Sequence, residues 1–241
     1  MNEKNIYHLT FDEIDSTQEW LRKNYNHQSY ENSPNLLVST KAQTKGIGRQ
    51  DREWAHSKHS LAFSFIIDPA EIIFKTPLEM AVQCALFFKL KFHLTIKLKW
   101  PNDLMKNDKK CGGIICHSVT RNKKEFIIVG IGINLNEKSE SMPCQEYPSG
   151  KSSLQIEKLI ENFQHNIPFD FYHYLLGNRL DDLRITEEWH KNCCHLNRKI
   201  KTHHDKNIIE GIFIGIGNQG QAILEINNQK IEIFSGEFSL T

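Results

Sequence analysis

Three apolar segments follow one another between residues 95 and 134, and their spacing constrains the fold more than any other feature of the sequence. The first, at residues 95–100, alternates, with Ile96, Leu98 and Trp100 on one face and lysines on the other, a pattern typical of a half-buried strand. The other two, at about 113–119 and 125–134, follow short polar turns, which indicates hairpins. We therefore expect an antiparallel or mixed sheet.

Capping signals predict helices around this sheet. Ser16-Thr17-Gln18-Glu19 is typical of a capping box and follows a short predicted strand at residues 7–11. Thr76-Pro77-Leu78-Glu79 is a second such box, with proline at the first helical position, and it predicts a helix to about Phe92. Further strands are expected at 36–39 and 60–67, and a helical pattern runs from about 150 to 194. The predicted fold class is α+β, a mixed or antiparallel sheet packed with helices.

The C-terminal segment differs in pattern from the rest of the chain. Four short apolar runs, at residues 199–202, 208–214, 222–226 and 231–234, are separated by Gly and Asn turns and predict a small β-barrel. We therefore expect two domains, at residues 1–195 and 196–241. The segment 215–220 matches the dinucleotide-binding pattern GxGxxG, but a strand rather than a helix follows it, so we interpret it as a hairpin turn.

Composition excludes several classes of protein. The 241 residues carry 30 Lys plus Arg against 29 Asp plus Glu, so no global charge favours nucleic acid. No apolar stretch approaches the roughly 20 residues of a membrane span, and no signal sequence is evident, so a cytoplasmic protein without membrane contact is expected. The six cysteines contain no CxxC pair, which favours reduced thiols. Cys193, Cys194, His203 and His204 remain an alternative metal site, although their spacing fits no usual pattern.

A polar loop between the predicted strands at 36–39 and 60–67 is the first candidate site. Its length of about twenty residues is unusual unless the loop is functional. It contains Gly46, Gly48, Arg49, Arg52 and Trp54. Glycines let backbone N–H groups approach an anion, and the guanidinium fork suits phosphate or carboxylate oxygens. The loop predicts an anion site, with a solvated basic loop as the alternative.

Three further motifs combine charged residues with strand glycines. They are KWPND at residues 99–103, KKCGG at 109–113 and GIGIN at 130–134. A lysine beside glycines is suited to hold an anion while the backbone approaches a ligand, and Asn134 is a candidate polar contact. Each motif alone is also compatible with an ordinary turn or a crowded strand.

Together with Asp15-Ser16-Thr17-Gln18 and the loop from Gln43 to Trp54, these motifs resemble the biotin protein ligases in order, spacing and letters. KWPND followed seven residues later by a lysine and glycines is the most specific signal. The resemblance covers nearly the whole chain, because the segment 236–240 is similar to the closing strand of that family. It implies a class II synthetase-like biotin/lipoate ligase catalytic domain followed by an SH3-like C-terminal barrel.

The resemblance also implies a reaction. Biotin is activated with ATP and Mg²⁺ to biotinyl-5'-adenylate and is then transferred to one lysine of the biotin carboxyl carrier protein of acetyl-CoA carboxylase. Lys110 and Arg49 are the implied catalytic residues. Those implied to bind biotin are Ser16, Thr17, Gln18, Gln43, Gly46, Ile47, Gly48, Arg49, Lys110, Gly113 and Gly130, and those implied to bind ATP are Arg49, Arg52, Trp54, Asn102, Asp103, Gly132 and Asn134. The resemblance leaves the metal ligands unassigned.

The chain departs from the family pattern in two places. Ile47 and Asp51 stand where the family loop often has an arginine and a glycine, which would weaken adenylate retention if those side chains act directly. Thr241 stands where a basic residue often follows.

Two alternative functions stay open, a lipoate or octanoate protein ligase and a non-catalytic biotin-binding sensor. The first motif begins at Asp15, so we expect no N-terminal DNA-binding domain and no DNA binding. A homodimer formed through exposed sheet edges is a weaker expectation.

Overall fold

The computed structural model describes residues 5–30, 35–54, 59–137, 153–156, 161–204, 207–236 and 238–240. Its larger unit is a mixed eight-stranded sheet with helices on both faces. The elements of this unit are β1 (Tyr7–Ile14), α1 (Thr17–Asn24), β2 (Leu36–Gln43), β3 (Ser60–Ile67), α2 (Thr76–Phe92), β4 (Lys97–Lys99), β5 (Asp103–Lys106), β6 (Lys109–Arg121), β7 (Lys124–Glu137), β8 (Leu154–Ile156), α3 (Phe163–Gly177) and α4 (Asp182–Asn192). The predicted mixed sheet packed with helices is confirmed.

The strand order is β1-β2-β3-β7-β6-β5-β4, and β8 pairs with β7. The pairs β1–β2 and β7–β8 are parallel, and the others are antiparallel. The hairpins predicted between residues 95 and 134 are present, and Asn107 and Asp108 take the positive φ angles of a tight turn between β5 and β6. The helical pattern expected from about residue 150 is wrong at β8, where three residues form a strand that is too short to show a period.

The two faces of the sheet differ in the size of their side chains. Phe63 and Phe65 of β3 face α3, where both rings contact Phe171. On the opposite face Leu21 of α1 packs in a smaller cluster with Val38, Ile66 and Ile128. Both clusters remove large apolar surfaces from water, which stabilises the fold.

The two predicted capping boxes have different outcomes. Ser16 Oγ accepts a hydrogen bond from the backbone N–H of Glu19 at 3.4 Å, so the first box has its expected cap. The second box is wrong, although the helix begins at Thr76 as expected. Thr76 Oγ1 accepts from the N–H of Ala70, and Glu79 is fully buried against Arg179 at 2.7 Å. Leaving a buried carboxylate unpaired costs more free energy than leaving a helix end uncapped, so Glu79 pairs with Arg179.

The C-terminal unit is a five-stranded sheet of β9 (Lys199–His204), β10 (Asn207–Ile216), β11 (Ala222–Ile226), β12 (Gln229–Ile233) and β13 (Ser239–Leu240). Its order is β12-β11-β10-β9-β13, and in the described residues no pairing joins β12 to β13, so the sheet is present but closure of the predicted barrel is not seen. The segment 215–220 joins β10 to β11 as a hairpin turn, as predicted.

Trp100 connects the two units. Its Nε1 donates to the backbone oxygen of Gly220 at 3.0 Å, and its ring stacks on Phe238 with centroids 4.8 Å apart. The C-terminal sheet is thereby held against the KWPND turn.

Three sequence predictions concern residues outside this description. They are the side chain of Asp51, the side chains of His203 and His204 in the alternative metal site, and Thr241. None of the helices in the described ranges is long and apolar enough to span a membrane.

Candidate active site

A cavity of about 160 Å³ lies on the face of the sheet that carries small side chains. Its floor is formed where β3, β7 and β6 run side by side, with Ala62 opposite Gly132, Ser64 opposite Gly130, and Gly113 opposite Gly132. Because side chains alternate between the faces of a strand, these small residues share one face. Their large neighbours point into the core, so the floor is open while the fold stays packed.

Two positions of the floor must be glycine, because other side chains pack directly on them. A Cβ at Gly132 would come within 2.6 Å of Trp54 Cε2, and one at Gly130 within 2.5 Å of Gln18 Oε1. The Trp54 indole therefore lies directly on Gly132, and its Nε1 is buried without a hydrogen-bond partner in the described part of the chain. Buried donors in folded proteins are nearly always paired, so an unpaired indole N–H is unusual.

A directional hydrogen-bond network forms one end of the cavity. Gln43 Oε1 accepts from the backbone N–H of Thr17 at 2.9 Å and from the Thr17 hydroxyl at 3.2 Å. Since the Thr17 hydroxyl donates to Gln43, it accepts from Ser64 Oγ, 2.9 Å away. Ser64 Oγ can then still accept a hydrogen bond, and the amide nitrogen of Gln43 can still donate one. This end presents acceptors near Gly130 and a donor near Gly46, whose Cβ would lie 2.9 Å from Gln43 Nε2.

Positive charge marks the other side of the cavity. Lys110 Nζ lies 2.5 Å from Asp103 Oδ1, and Lys99 Nζ lies 3.8 Å from the second oxygen of the same carboxylate. Arg49 donates to Asn102 Oδ1 at 3.2 Å, and Asn102 in turn donates to the Ile114 oxygen at 2.6 Å. The KWPND and KKCGG motifs thus meet at one place, and Arg49, Arg52 and Lys110 line the cavity there.

The glycine loop closes over this site as a small hairpin. Ile47 and Glu53 form an isolated antiparallel bridge, the N–H of Gly48 donates to the Arg52 oxygen at 2.7 Å, and that of Trp54 donates to the Gly46 oxygen at 2.8 Å. Ile47 lines the cavity in place of the arginine common in similar loops, which makes this part of the wall apolar.

The structure brings most of the residues implied by the resemblance to the cavity wall. Those lining it are Ser16, Thr17, Gln18, Gln43, Ile47, Gly48, Arg49, Arg52, Trp54, Asn102, Asp103, Lys110, Gly113, Gly130 and Gly132. Gly46 lies beside Gln43 and Trp54 without lining the cavity. Asn134 is not among the lining residues, because its side chain is buried and accepts a hydrogen bond from Ser60 at 3.4 Å.

Ser64 and Gly236 are among the lining residues that sequence reasoning missed. Small residues, Ser60, Ala62 and Ser64, occupy every second position of β3. This pattern indicates a strand face that large side chains do not cover. Gly236 follows β12 in the C-terminal sheet, and no local pattern could have placed it at this cavity.

A second cavity of about 660 Å³ adjoins the first. It lies along β6 at residues 114–118, next to the start of α2 and the hairpin at 219–221, and it contains His117 and Arg22. The two cavities share the wall formed by Ile47–Gln50 and Trp100–Asn102.

Comparisons with known proteins agree with this geometry. The biotin/lipoate A/B protein ligase family matches residues 10–134. The bifunctional ligase/repressor BirA of Bacillus spizizenii is 27% identical over 247 residues, which cover 97% of this chain and 74% of that protein. The biotin protein ligase of Aquifex aeolicus, solved in complex with biotin and ATP, superimposes with a TM-score of 0.70 at 25% identity, covering 97% of this chain and 98% of that one.

The biotin acetyl coenzyme A carboxylase synthetase of Helicobacter pylori shares the fold, with a TM-score of 0.65 at 18% identity and coverage of 95% and 100%. Since the family match spans more than half of the chain, this protein is an enzyme of the biotin/lipoate A/B protein ligase family.

Proposed function

We propose that the enzyme converts biotin and ATP to biotinyl-5'-adenylate and pyrophosphate, and then transfers the biotinyl group to a lysine of a biotin carboxyl carrier protein. The names of the relatives and the biotin and ATP bound to the Aquifex aeolicus ligase support this reaction. The observation that carries the choice of biotin is the polarity of the cavity. One end is suited to a cyclic urea, and the other to a carboxylate and a phosphate.

The urea of biotin carries two N–H donors and one carbonyl acceptor. Ser64 Oγ has only acceptor capacity left, and the Gln43 amide nitrogen is a donor, so the network matches both kinds of group. The dithiolane of lipoate and the alkyl end of octanoate offer neither. They would leave buried polar atoms unpaired, and a site built for hydrogen bonds rejects such ligands.

In the first step a biotin carboxylate oxygen attacks the α-phosphorus of ATP, and the bond from that phosphorus to the bridging oxygen of pyrophosphate breaks. Two anions must approach each other, and Lys110 and Arg49 supply the compensating positive charge. Asp103 already holds the Lys110 ammonium at 2.5 Å. The biotin carboxylate takes the place of Asp103 at the lysine. No enzyme nucleophile is needed.

In the second step the neutral ε-amino group of the carrier lysine attacks the acyl carbon of the adenylate. The bond from this carbon to the phosphate oxygen breaks, AMP leaves, and the new amide loses its extra proton to solvent. The loop from Gly46 to Trp54 covers the adenylate, which keeps water from hydrolysing the mixed anhydride.

ATP is the substrate that brings Mg²⁺, which neutralises phosphate charge. In the described ranges no three His, Cys, Asp or Glu side chains form a group that would hold a metal ion, and the Asp103 carboxylate lies between Lys99 and Lys110. We therefore propose that Mg²⁺ arrives bound to the ATP phosphates. Residues assigned to the nucleotide side are Arg49, Arg52, Trp54, Asn102, Asp103 and Gly132.

We assign residues 1–195 to the catalytic domain and residues 196–241 to a C-terminal domain. The contribution of Gly236 to the cavity wall supports a role of the second domain in ligand binding.

The experiment that tests this function offers biotin, lipoate and octanoate in parallel, with ATP and Mg²⁺, and measures the masses of the products. We expect an adenylate with biotin alone, followed by a mass gain on a carrier domain with its lysine intact. An adenylate with lipoate or octanoate alone would change the substrate. Biotin binding without any adenylate would show a sensor instead of an enzyme.

A further inference from the structure

Lys99 has no role in the reaction described above, yet its ammonium group faces the carboxylate that holds Lys110. The strands β4 and β5 pair antiparallel around the turn at residues 100–102, and the register sets Lys99 directly opposite Asp103. Side chains at such opposite positions are close enough to interact. Lys99 Nζ lies 3.8 Å from Asp103 Oδ2, and Lys110 Nζ lies 2.5 Å from Asp103 Oδ1. One carboxylate therefore faces two ammonium groups, one at each of its oxygens.

The two lysines differ in their access to a ligand. Lys110 lines the first cavity and is about a third exposed. The Lys99 side chain is 18% exposed, and among the described residues it lines neither cavity. Its other neighbour is the buried ring of His195, whose pKa is lowered by burial and, in addition, by the positive charge of Lys99. Lys99 is thus placed to act on Asp103 and not on a ligand.

A ligand carboxylate changes the balance of charge at Asp103. In the reaction proposed above, the carboxylate of biotin replaces Asp103 at Lys110. Two carboxylates then compete for one ammonium group and repel each other. The Asp103 side chain is only 13% exposed, so water compensates little of its charge once Lys110 has turned away. Lys99 already lies beside the second oxygen of this carboxylate and can pair with it.

We infer that Lys99 is a positioning residue, which pairs with Asp103 when biotin binds and so frees Lys110 for the biotin carboxylate. The inference rests on the proposed function. Together the two lysines and Asp103 carry one positive charge, which is the charge that an incoming carboxylate needs. Without Lys99 the same group would be neutral, and biotin would have to displace a carboxylate that has lost its alternative partner.

The inference is tested by calorimetric binding in the absence of ATP, because Asp103 is also assigned to the nucleotide side. The ligands are biotin and its alcohol analogue, in which CH₂OH replaces the carboxylate. Lys99→Met keeps the apolar stem without the charge, and it should weaken biotin binding about tenfold while leaving the affinity for the alcohol within about twofold. Lys99→Arg should restore most of the affinity for biotin.

Lys97→Met is the matched control, since Lys97 lies on the same face of β4 and is exposed. It should bind both ligands as the wild type does. Binding of the alcohol shows that each variant is folded, and Lys99→Gln serves as a second variant without the charge. Equal losses for biotin and the alcohol would show that Lys99 only shapes the turn, and an unchanged affinity for biotin would also overturn the inference.

A double variant tests whether Lys99 acts through Asp103. Asp103→Asn removes the competing carboxylate, so adding Lys99→Met to it should weaken biotin binding by less than about threefold. A tenfold loss in this background would mean that Lys99 acts on biotin without Asp103, which contradicts a positioning role. In steady-state kinetics Lys99→Met should raise the KM for biotin with little change in kcat, because the exchange of partners belongs to binding.

Wild-type adenylate formation is measured in the same series and separates the two proposals. If biotin binding depends on Lys99 as expected but no adenylate forms, the ligase activity fails and the inference about Lys99 stands. If an adenylate forms and Lys99→Met binds biotin as tightly as the wild type, only the inference fails. A wild-type protein that does not bind biotin overturns both.

Discussion

Lys110 is the residue whose positive charge we expect to contribute most to the first step of the reaction. It is about a third exposed and lies against Asp103, with the floor glycine Gly113 beside it. We expect Lys110→Ala to lower the rate of adenylate formation at least a hundredfold, which corresponds to about 3 kcal/mol of lost transition-state stabilisation. Pyrophosphate exchange measures this rate. Lys109→Ala is the matched control, since its side chain is exposed on the adjacent position and should retain nearly full activity.

Arg49 acts from the loop and not from the sheet. Its guanidinium reaches Asn102 of the KWPND turn, so it ties the loop to the site as well as adding charge. Arg49→Gly should release the adenylate, which would then label lysines on unrelated proteins added to the reaction. Mass spectrometry of a mixture of carrier and bystander proteins measures the labelling. If biotin appears on the carrier alone, Arg49 does not retain the intermediate.

At the scale of the elements, two neighbouring glycines of the β6–β7 pair have different roles, because one faces the cavity and the other faces the core. Gly132 faces the cavity and the Trp54 indole, whereas a Cβ at Gly112 would meet the backbone oxygen of Gly132 at 2.8 Å on the core face. Gly132→Ala should displace the indole and weaken ATP binding about tenfold or more with a near-normal melting temperature.

Gly112→Ala should overpack the core and cost about 1–3 kcal/mol of the free energy of unfolding, which lowers the melting temperature by several degrees. Thermal unfolding and ATP titration of both variants measure the two effects. Equal losses of stability in the two variants would contradict the assignment of the glycines to different faces.

The same strands show what the sequence could predict. Hairpin spacing predicted β4 to β7, because turn residues and alternation are local signals. Sequence analysis did not identify Ser64, because β3 is buried along its whole length. The strand therefore has no solvent-exposed face that alternating polar residues would mark. The box at Thr76 failed because the partner of Glu79 is Arg179, a hundred residues away, and the sequence gives no sign of that ion pair.

At the scale of the whole molecule, the cavity depends on segments that only the fold brings together. The resemblance to biotin protein ligases predicted most of the lining residues, since their motifs are contiguous. It did not predict that Trp54 lies on Gly132, that Asn134 is turned to Ser60, or that Gln18 is held by His117. These contacts arise from strand register, which fixes which short motifs become neighbours.

The junction between the two units contains a buried histidine. The His195 ring is fully buried among Trp189, Phe213 and Phe238, so it joins α4 to the C-terminal sheet. Burial lowers the pKa of His195 to about 3, and neighbouring positive charges act in the same direction. The folded protein therefore holds this ring neutral, as an apolar cluster requires.

Acid should weaken this junction. The unfolded chain protonates His195 below its ordinary pKa of 6.5, while the folded protein resists until about pH 3. Because the unfolded state binds more protons in this window, the contribution to stability is complete above pH 6.5 and is lost as the pH falls toward 3. His195→Phe keeps a ring in the cluster and removes the titration, so its melting temperature should fall less between pH 7 and pH 5 than that of the wild type. Exposed His173→Phe should behave as the wild type does, and an equal fall in all three proteins would show that the junction does not respond to pH.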